Sequence, residues 1–227
     1  MVHIDAAGRL SVRDEVRVLV VEDHPVVRRG MVEVINEQDD LHVCGETDSM
    51  PEAMRLLNET SPRVVLVDLG LSSGHGIELI EMIRERCPHV KILVVSAQDE
   101  RLYAERCLRA GAAGYIGKQE ATDRLVDAIR QVIAGEVSLS KNMANQLLHT
   151  MVGGNELRTD PISTLTNREL EVYEMIGRGL TTRQIADQLV LSPKTVESHR
   201  EKIKIKLDLA NTNELMRHAV EWVLQNP

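Results

Sequence analysis

The chain has no phenylalanine, and its three tyrosines and one tryptophan leave aromatic residues at 2% of 227 positions. Its cores must therefore be aliphatic, built from Val, Ile, Leu, Met and Ala. So thin an aromatic content argues against an aromatic cage, a stacking platform for single-stranded nucleic acid, or a large pocket for a flat ligand. Cysteine is equally scarce. Cys44, Cys87 and Cys107 are odd in number and widely spaced, with no CxxC pair and no metal-ligand pattern. They read as structural thiols in a reducing cytoplasm. No apolar run reaches the length of a membrane span, and none follows the first Met as a leader would, so no membrane partner is expected.

What is present suffices for two domains: 43% of residues are hydrophobic and 27% charged, over a length comfortable for two cores. The net charge of −8 is unevenly placed. From Pro161 onward nine basic residues face nine acidic ones, so the whole deficit lies in the first 160 residues. That asymmetry suggests two domains with different partners.

From residue 16 the sequence alternates between strand-like and helix-like segments. Strands are expected at Val16–Val21, Leu41–Gly45, Arg63–Val67, Val90–Val95 and Gly114–Gly117. Helices are expected at Val26–Glu37, Pro51–Asn58, Ile77–Arg86, Asp99–Ala110 and Thr122–Ala134, each with an apolar stripe at helical spacing. Five such units imply a doubly wound parallel sheet, whose ligands bind beyond the carboxyl ends of the strands. Residues 1–15 form an N-terminal extension with no assigned role. Residues 136–160 break the alternation and read as a linker, with a short amphipathic helix at Lys141–Met151, a stop at Gly153-Gly154 and a polar stretch beyond.

The strand ends carry the chemistry. The apolar run Val64-Val65-Leu66-Val67 ends on Asp68, and Val18-Leu19-Val20-Val21 ends on Glu22-Asp23. These strands are usually neighbours in such a sheet, so three acids should converge. Like charges that close become favourable around a divalent cation, and Mg2+ suits a few carboxylates with waters and a phosphate. Ser96 closes the fourth strand and Lys118 the fifth. Polar residues do collect at domain rims, but this ordered set of acids, hydroxyl and lysine favours a site.

After Pro161 the chain reads as all-helical. Thr166-Asn167-Arg168-Glu169 and Thr181-Thr182-Arg183-Gln184 are capping boxes, and Ser192-Pro193 is an N-cap followed by proline at the first helical position. Helices are expected through about Gly177, over Thr182–Leu189, from Pro193 through about Leu207, and from Thr212 or Asn213 to about Leu224. The third is basic, with Lys194, Arg200, Lys202, Lys204 and Lys206 against Glu197 and Glu201. A basic helix after a tight turn fits a recognition helix in the major groove, although charge alone would favour a solvated face on a small helical bundle.

Residues 16–135, with Glu22-Asp23, Asp68, Ser96 and Lys118 at their strand ends, resemble the receiver domain of two-component response regulators, a flavodoxin-like fold. Leu165-Thr166-Asn167-Arg168-Glu169, Gly179-Leu180-Thr181, Gln184-Ile185-Ala186 and Lys194-Thr195-Val196-Glu197-Ser198-His199 resemble the LuxR-type helix-turn-helix, a small four-helix domain expected over 161–227. Together they look like a transcriptional regulator of the NarL/FixJ family. The resemblance implies that Asp68 accepts a phosphoryl group from a sensor histidine kinase and that Glu22, Asp23, Asp68 and the Gly70 carbonyl hold Mg2+. It also implies that Lys118 and Ser96 contact the phosphoryl group, with Ser96 and Tyr115 forming a switch. In the second domain it places Glu197, Ser198 and Glu201 at base edges of double-stranded DNA, and Lys194, Thr195, His199, Arg200 and Lys202 nearer phosphates. A homodimer is expected when phosphorylated, with RNA polymerase as a further candidate partner. One departure is Ser72, where the family usually has proline, so a more flexible loop is expected. His75 is expected to be a solvated loop residue, and neither it nor His24 a metal ligand. Asp208 stands where the family often has glycine. An aspartyl phosphatase would need a second acid where Gly70 stands. A ligand-sensing regulator would lack the acid and lysine set. A phosphorylation-independent regulator acting through protein partners is the alternative kept.

Overall fold

The apolar runs of the first half form five parallel strands, and the central ones are buried on both faces. The computed structural model describes residues 3–4, 10–11, 15–71, 74–152 and 161–225. Two contact-defined units divide at residues 149 and 150. The short strands β1 (His3–Ile4) and β2 (Leu10–Ser11) pair antiparallel. The main sheet then comprises β3 (Val16–Val21), β4 (Leu41–Thr47), β5 (Val64–Val67), β6 (Lys91–Ser96) and β7 (Gly114–Gly117), in the order β4-β3-β5-β6-β7. Helices α1 (Pro25–Asn36), α2 (Met50–Thr60), α3 (Gly76–Arg86), α4 (Glu100–Ala110) and α5 (Ala121–Ala134) connect the strands and follow the last.

The residue alternation along the strands sorts the two faces. Val18, Val20, Leu66, Leu93, Val95 and Ile116 share one buried cluster with Met31 and Ile35 of α1 and with Leu125, Ile129 and Val132 of α5. Helices α2, α3 and α4 pack against the other face, burying Met54, Leu57, Ile80, Ile83 and Cys107. All four residues of β5 are buried, as a central parallel strand requires.

Strand register fixes where the chain's charges emerge. Val21 lies beside Val67, and Val67 beside Val94. The Asp68 amide still donates to Val21 O at 2.9 Å, and the Lys118 amide to Ser96 O at 2.8 Å. The strand β4 runs two residues beyond Gly45. The register shifts between Val18 and Leu19, which pair with Val43 and Gly45, so Cys44 is an extra residue that leaves Glu46 and Thr47 paired with Val20 and Val21. Glu46, charged and depleted in strands, breaks the apolar pattern before Thr47 is reached.

Two positions after Asp68 explain the turn back into α3. The Gly76 amide donates to Leu69 O at 3.0 Å, and a Cβ at Gly76 would lie 2.3 Å from Asp68 O and 2.6 Å from Leu69 Cα. His75 is 3% exposed rather than solvated. Its Nδ1 accepts from the Ile77 amide at 3.1 Å as the N-cap of α3, and its ring stacks 6.4 Å from that of Tyr103. Capping draws the ring under the loop, a demand that the loop's small polar residues did not signal. Ser72 and Ser73, on which the expected flexibility rests, lie outside the described residues.

Beyond α5 the chain returns to the sheet. Ser138 bridges Gly114 in parallel, and the Tyr115 amide donates to Ser138 O at 2.8 Å. The Ser140 amide donates to Glu100 Oε1 at 2.8 Å, and the helix α6 (Lys141–Val152) follows with Met143 buried. The expected stop at Gly153-Gly154 and the polar stretch after it lie outside the described residues. No helix of the described residues is long and apolar enough to cross a membrane.

The second unit holds a 3-10 turn (Pro161–Thr164) and the helices α7 (Asn167–Gly177), α8 (Thr182–Gln188), α9 (Pro193–Lys206) and α10 (Thr212–Gln225). Both capping boxes form, and Ser192 Oγ accepts from the Thr195 amide at 3.1 Å. Leu170, Tyr173, Ile176, Ile185, Val196, Ile203 and Leu215 make the core. Glu169, 4% exposed at its side chain, accepts from Lys206 Nζ at 2.6 Å and so ties α7 to the end of α9. Burial alone would raise the Glu169 carboxyl, but bonds from Lys206 and Thr166 hold it below its ordinary value. Asp208 takes φ 53°, as its glycine-like place requires. Val190, in the turn between α8 and α9, also takes φ 53° while 73% exposed.

Two substitutions check these backbone constraints by equilibrium denaturation. Gly76→Ala should destabilise the first unit by about 1–3 kcal/mol, because the new methyl meets backbone that cannot give way. Val190→Gly should stabilise the second unit by about 1 kcal/mol, because it relieves a β-branched residue of left-handed geometry.

Candidate functional site

The continuations of β3, β5, β6 and β7 meet at one edge of the sheet. Lys118 Nζ donates to both Glu22 Oε1 and Asp68 Oδ2, at 2.8 Å each. Glu22 and Asp68 are almost fully buried, and the side chain of Lys118 is 13% exposed. Burial opposes the ammonium charge, but hydrogen bonds to Asp68 and Glu22 outweigh it and raise the Lys118 amine above its ordinary value. Asp23 is partly exposed beside them. Ligand atoms from Glu22, Asp23, His24 and Asp68 lie within 4.8 Å of one another, a group that could hold a metal ion. Its carboxylate oxygens are hard donors that suit Mg2+.

His24 was not expected among these atoms. Its imidazole is largely exposed, yet Nδ1 lies 2.9 Å from Glu22 Oε1 and 2.7 Å from Asp23 Oδ1. Arg28, one turn into α1, donates to Glu22 O at 2.7 Å and was missed from the sequence, where only its spacing from His24 could have signalled it. Gly70 is exposed just past the acid, and a Cβ there would lie 3.7 Å from Asp68 Oδ2.

Ser96 is buried at the end of β6, and its Oγ accepts from the Gln98 amide at 3.2 Å. Tyr115 is fully buried, with its hydroxyl donating to Gln98 O at 2.8 Å. Burial raises the Tyr115 phenol well above its ordinary value, against a hydrogen bond with Ser96 that lowers it. The backbone of Gln98 thus joins serine and tyrosine, a role its sequence position did not announce.

On α9 the expected DNA-facing residues divide by exposure. Lys194, Thr195, Glu197, Ser198, Glu201 and Lys202 are exposed. Arg200 is 6% exposed, with Nε 3.8 Å from Glu197 Oε2, so the fold turns it inward rather than toward solvent. His199 is half-buried, and burial, with Lys202 nearby, lowers its imidazole below the ordinary value. Thr182 of α8 donates to Glu197 Oε1 at 2.7 Å, a contact between helices that no local spacing predicts.

Fold and site together define a receiver unit joined to a helix-turn-helix unit. Residues 18–130 match the response regulator receiver domain, and residues 163–219 match the luxR family of bacterial regulatory proteins. The chain is 34% identical over 205 residues to the response regulator GacA of Pseudomonas aeruginosa, covering 90% of this chain and 95% of that one. It is 33% identical over 210 residues to the oxygen regulatory protein NreC of Staphylococcus haemolyticus, covering 90% and 97%. A solved LuxR-family two-component response regulator from Aurantimonas sp. superposes with a TM-score of 0.57 at 33% identity, over 61% of this chain and 99% of that one. RcsB of Salmonella enterica serovar Typhimurium, solved bound to a promoter with phosphomimetic BeF3−, shares the fold. Its TM-score is 0.62 at 23% identity, over 91% and 98% of the two chains. The chain belongs to the NarL/FixJ family of two-component response regulators, receiver domain and LuxR-type DNA-binding domain together.

The Lys118 bridge has a measurable share in stability. Lys118→Met leaves two buried carboxylates without their cation and should cost about 3 kcal/mol at pH 8. Because the amine is raised in the folded state, its contribution is complete below the unfolded value of about 10.4 and is lost as pH rises through the folded one. Denaturation of both proteins from pH 8 upward should therefore show the gap narrowing in alkali.

Proposed function

We propose that this chain is a phosphorylation-dependent DNA-binding transcription regulator, with Asp68 as the phosphoryl acceptor. The observation that carries the reading is the Lys118 ammonium, 2.8 Å from carboxylate oxygens of both Asp68 and Glu22 at the strand ends. In the proposed reaction an Asp68 oxygen attacks the phosphorus of a phosphohistidine on the partner kinase. The P–N bond breaks, the imidazole leaves with its electron pair, and an acyl phosphate forms. Lys118 offsets charge on the transferring group and afterwards pairs with it. Glu22, Asp23, Asp68 and the Gly70 carbonyl would hold Mg2+, which supplies further charge neutralisation when bound.

The product replaces the Asp68 carboxylate with a more highly charged acyl phosphate. Ser96 then turns from the Gln98 amide to donate to a phosphoryl oxygen, which favours the inward-packed Tyr115 over an outward one. This two-state element controls dimerisation and DNA binding. The α9 helix enters the major groove with Glu197, Ser198 and Glu201 toward base edges and with Lys194, Thr195 and Lys202 toward phosphates. His199 and Arg200 serve the fold of the domain instead. With nine basic and nine acidic residues, this part of the chain is neutral, so a monomer gains little from counterion release and tight binding needs a dimer on paired half-sites.

Purified protein treated with Mg2+ and acetyl phosphate should gain the mass of one phosphoryl group, and Asp68→Asn should not. Phosphorylated wild type should retain promoter DNA more tightly than the mutant. Equal labelling of both proteins would remove Asp68 as acceptor. An unlabelled wild type with unchanged DNA binding would favour a phosphorylation-independent regulator.

A further inference from the structure

Glu197 departs from what a DNA-facing position ordinarily carries. A carboxylate is repelled by phosphate, and on a solvent-exposed helix face it would sample many rotamers. Here it does not stand alone. Its side chain is 55% exposed, and the Thr182 hydroxyl from α8 donates to Oε1 at 2.7 Å. On its other side Arg200 Nε lies 3.8 Å from Oε2, on a side chain only 8% exposed. A neutral donor from one helix and an inward-turned cation from its own helix hold one carboxylate at the surface of α9.

A carboxylate offers acceptors only, so the group it meets must be a donor. In the major groove two base groups qualify, cytosine N4 and adenine N6. Adenine sets its N7 acceptor beside that amine, which opposes a carboxylate. Cytosine presents N4 with no acceptor of its own alongside. We infer that Glu197 reads a cytosine amino group and that Thr182, which touches no base in this scheme, is the positioning residue that aims it. The inference rests on the reading of α9 as a groove-entering helix. Thr182 carries no charge, so it adds nothing to attraction for the phosphate backbone. Its effect is confined to which base is accepted.

The test is selection of binding sites from a random double-stranded pool by the full-length phosphorylated protein. Wild type should enrich cytosine at one position in each half-site. Glu197→Gln should move that position toward adenine, which glutamine can bond through both N6 and N7. Thr182→Val, which keeps shape and removes the hydroxyl, should weaken the cytosine preference there about fivefold or more while leaving the other positions unchanged. Thr182→Ser should restore it. A merely structural role in holding α8 to α9 would instead weaken every position alike. The same base enriched by wild type and Glu197→Gln, or a Thr182→Val profile identical to wild type or weakened uniformly, would overturn the proposal. A wild type that selects no DNA at all would overturn the DNA-binding reading itself, and that failure shows before any variant is compared.

Discussion

One ammonium group holds the functional edge of the first unit together. Glu22 and Asp68 end neighbouring strands whose register places them side by side, and both are buried where water cannot screen them. Two such carboxylates repel strongly at low local dielectric. Lys118 comes from the far side of the sheet, after β7, and closes the arrangement with two 2.8 Å bonds. The rest of the architecture serves this closure. The central strand brings Asp68 to the edge, the glycine at the start of α3 lets the chain turn away beneath it, and the β6 and β7 pairing carries Lys118 back.

Much of this was legible because it obeys simple periodicity. Uninterrupted aliphatic runs mark strands buried on both faces, and the polar residues closing them mark the edge where Glu22, Asp68 and Lys118 meet. The helix starts of the second unit were equally plain, since Thr166, Thr181 and Ser192 are capping residues whose bonds form in the structure. What could not be read were features set by tertiary contact. The extra residue at Cys44 extends β4 over two polar positions that look like loop. His75 is buried because it caps a helix, whereas its sequence neighbours suggest solvent.

The charges of α9 show the same limit. Composition makes the helix basic, but burial decides which charges it offers. Arg200 is spent on the interior, and the carboxylates of Glu197 and Glu201 remain on the outer surface. The helix therefore presents a mixed surface, in which attraction for a polyanion is modest and hydrogen-bond chemistry weighs more. The Thr182 hydroxyl that bonds Glu197 lies fifteen residues away on another helix, beyond the reach of any local motif.

The return of Ser138 to the sheet covers the start of its outer strand. Amides and carbonyls on an unpaired edge are a template for backbone pairing with another chain, a common route to aggregation. Here the continuation of the chain occupies that template with its own backbone at Gly114 and Tyr115. At the opposite margin, the bulge at Cys44 breaks the regular ladder of β4. The bridge at Ser138 thus takes up backbone groups at the start of β7 that another chain could otherwise pair with.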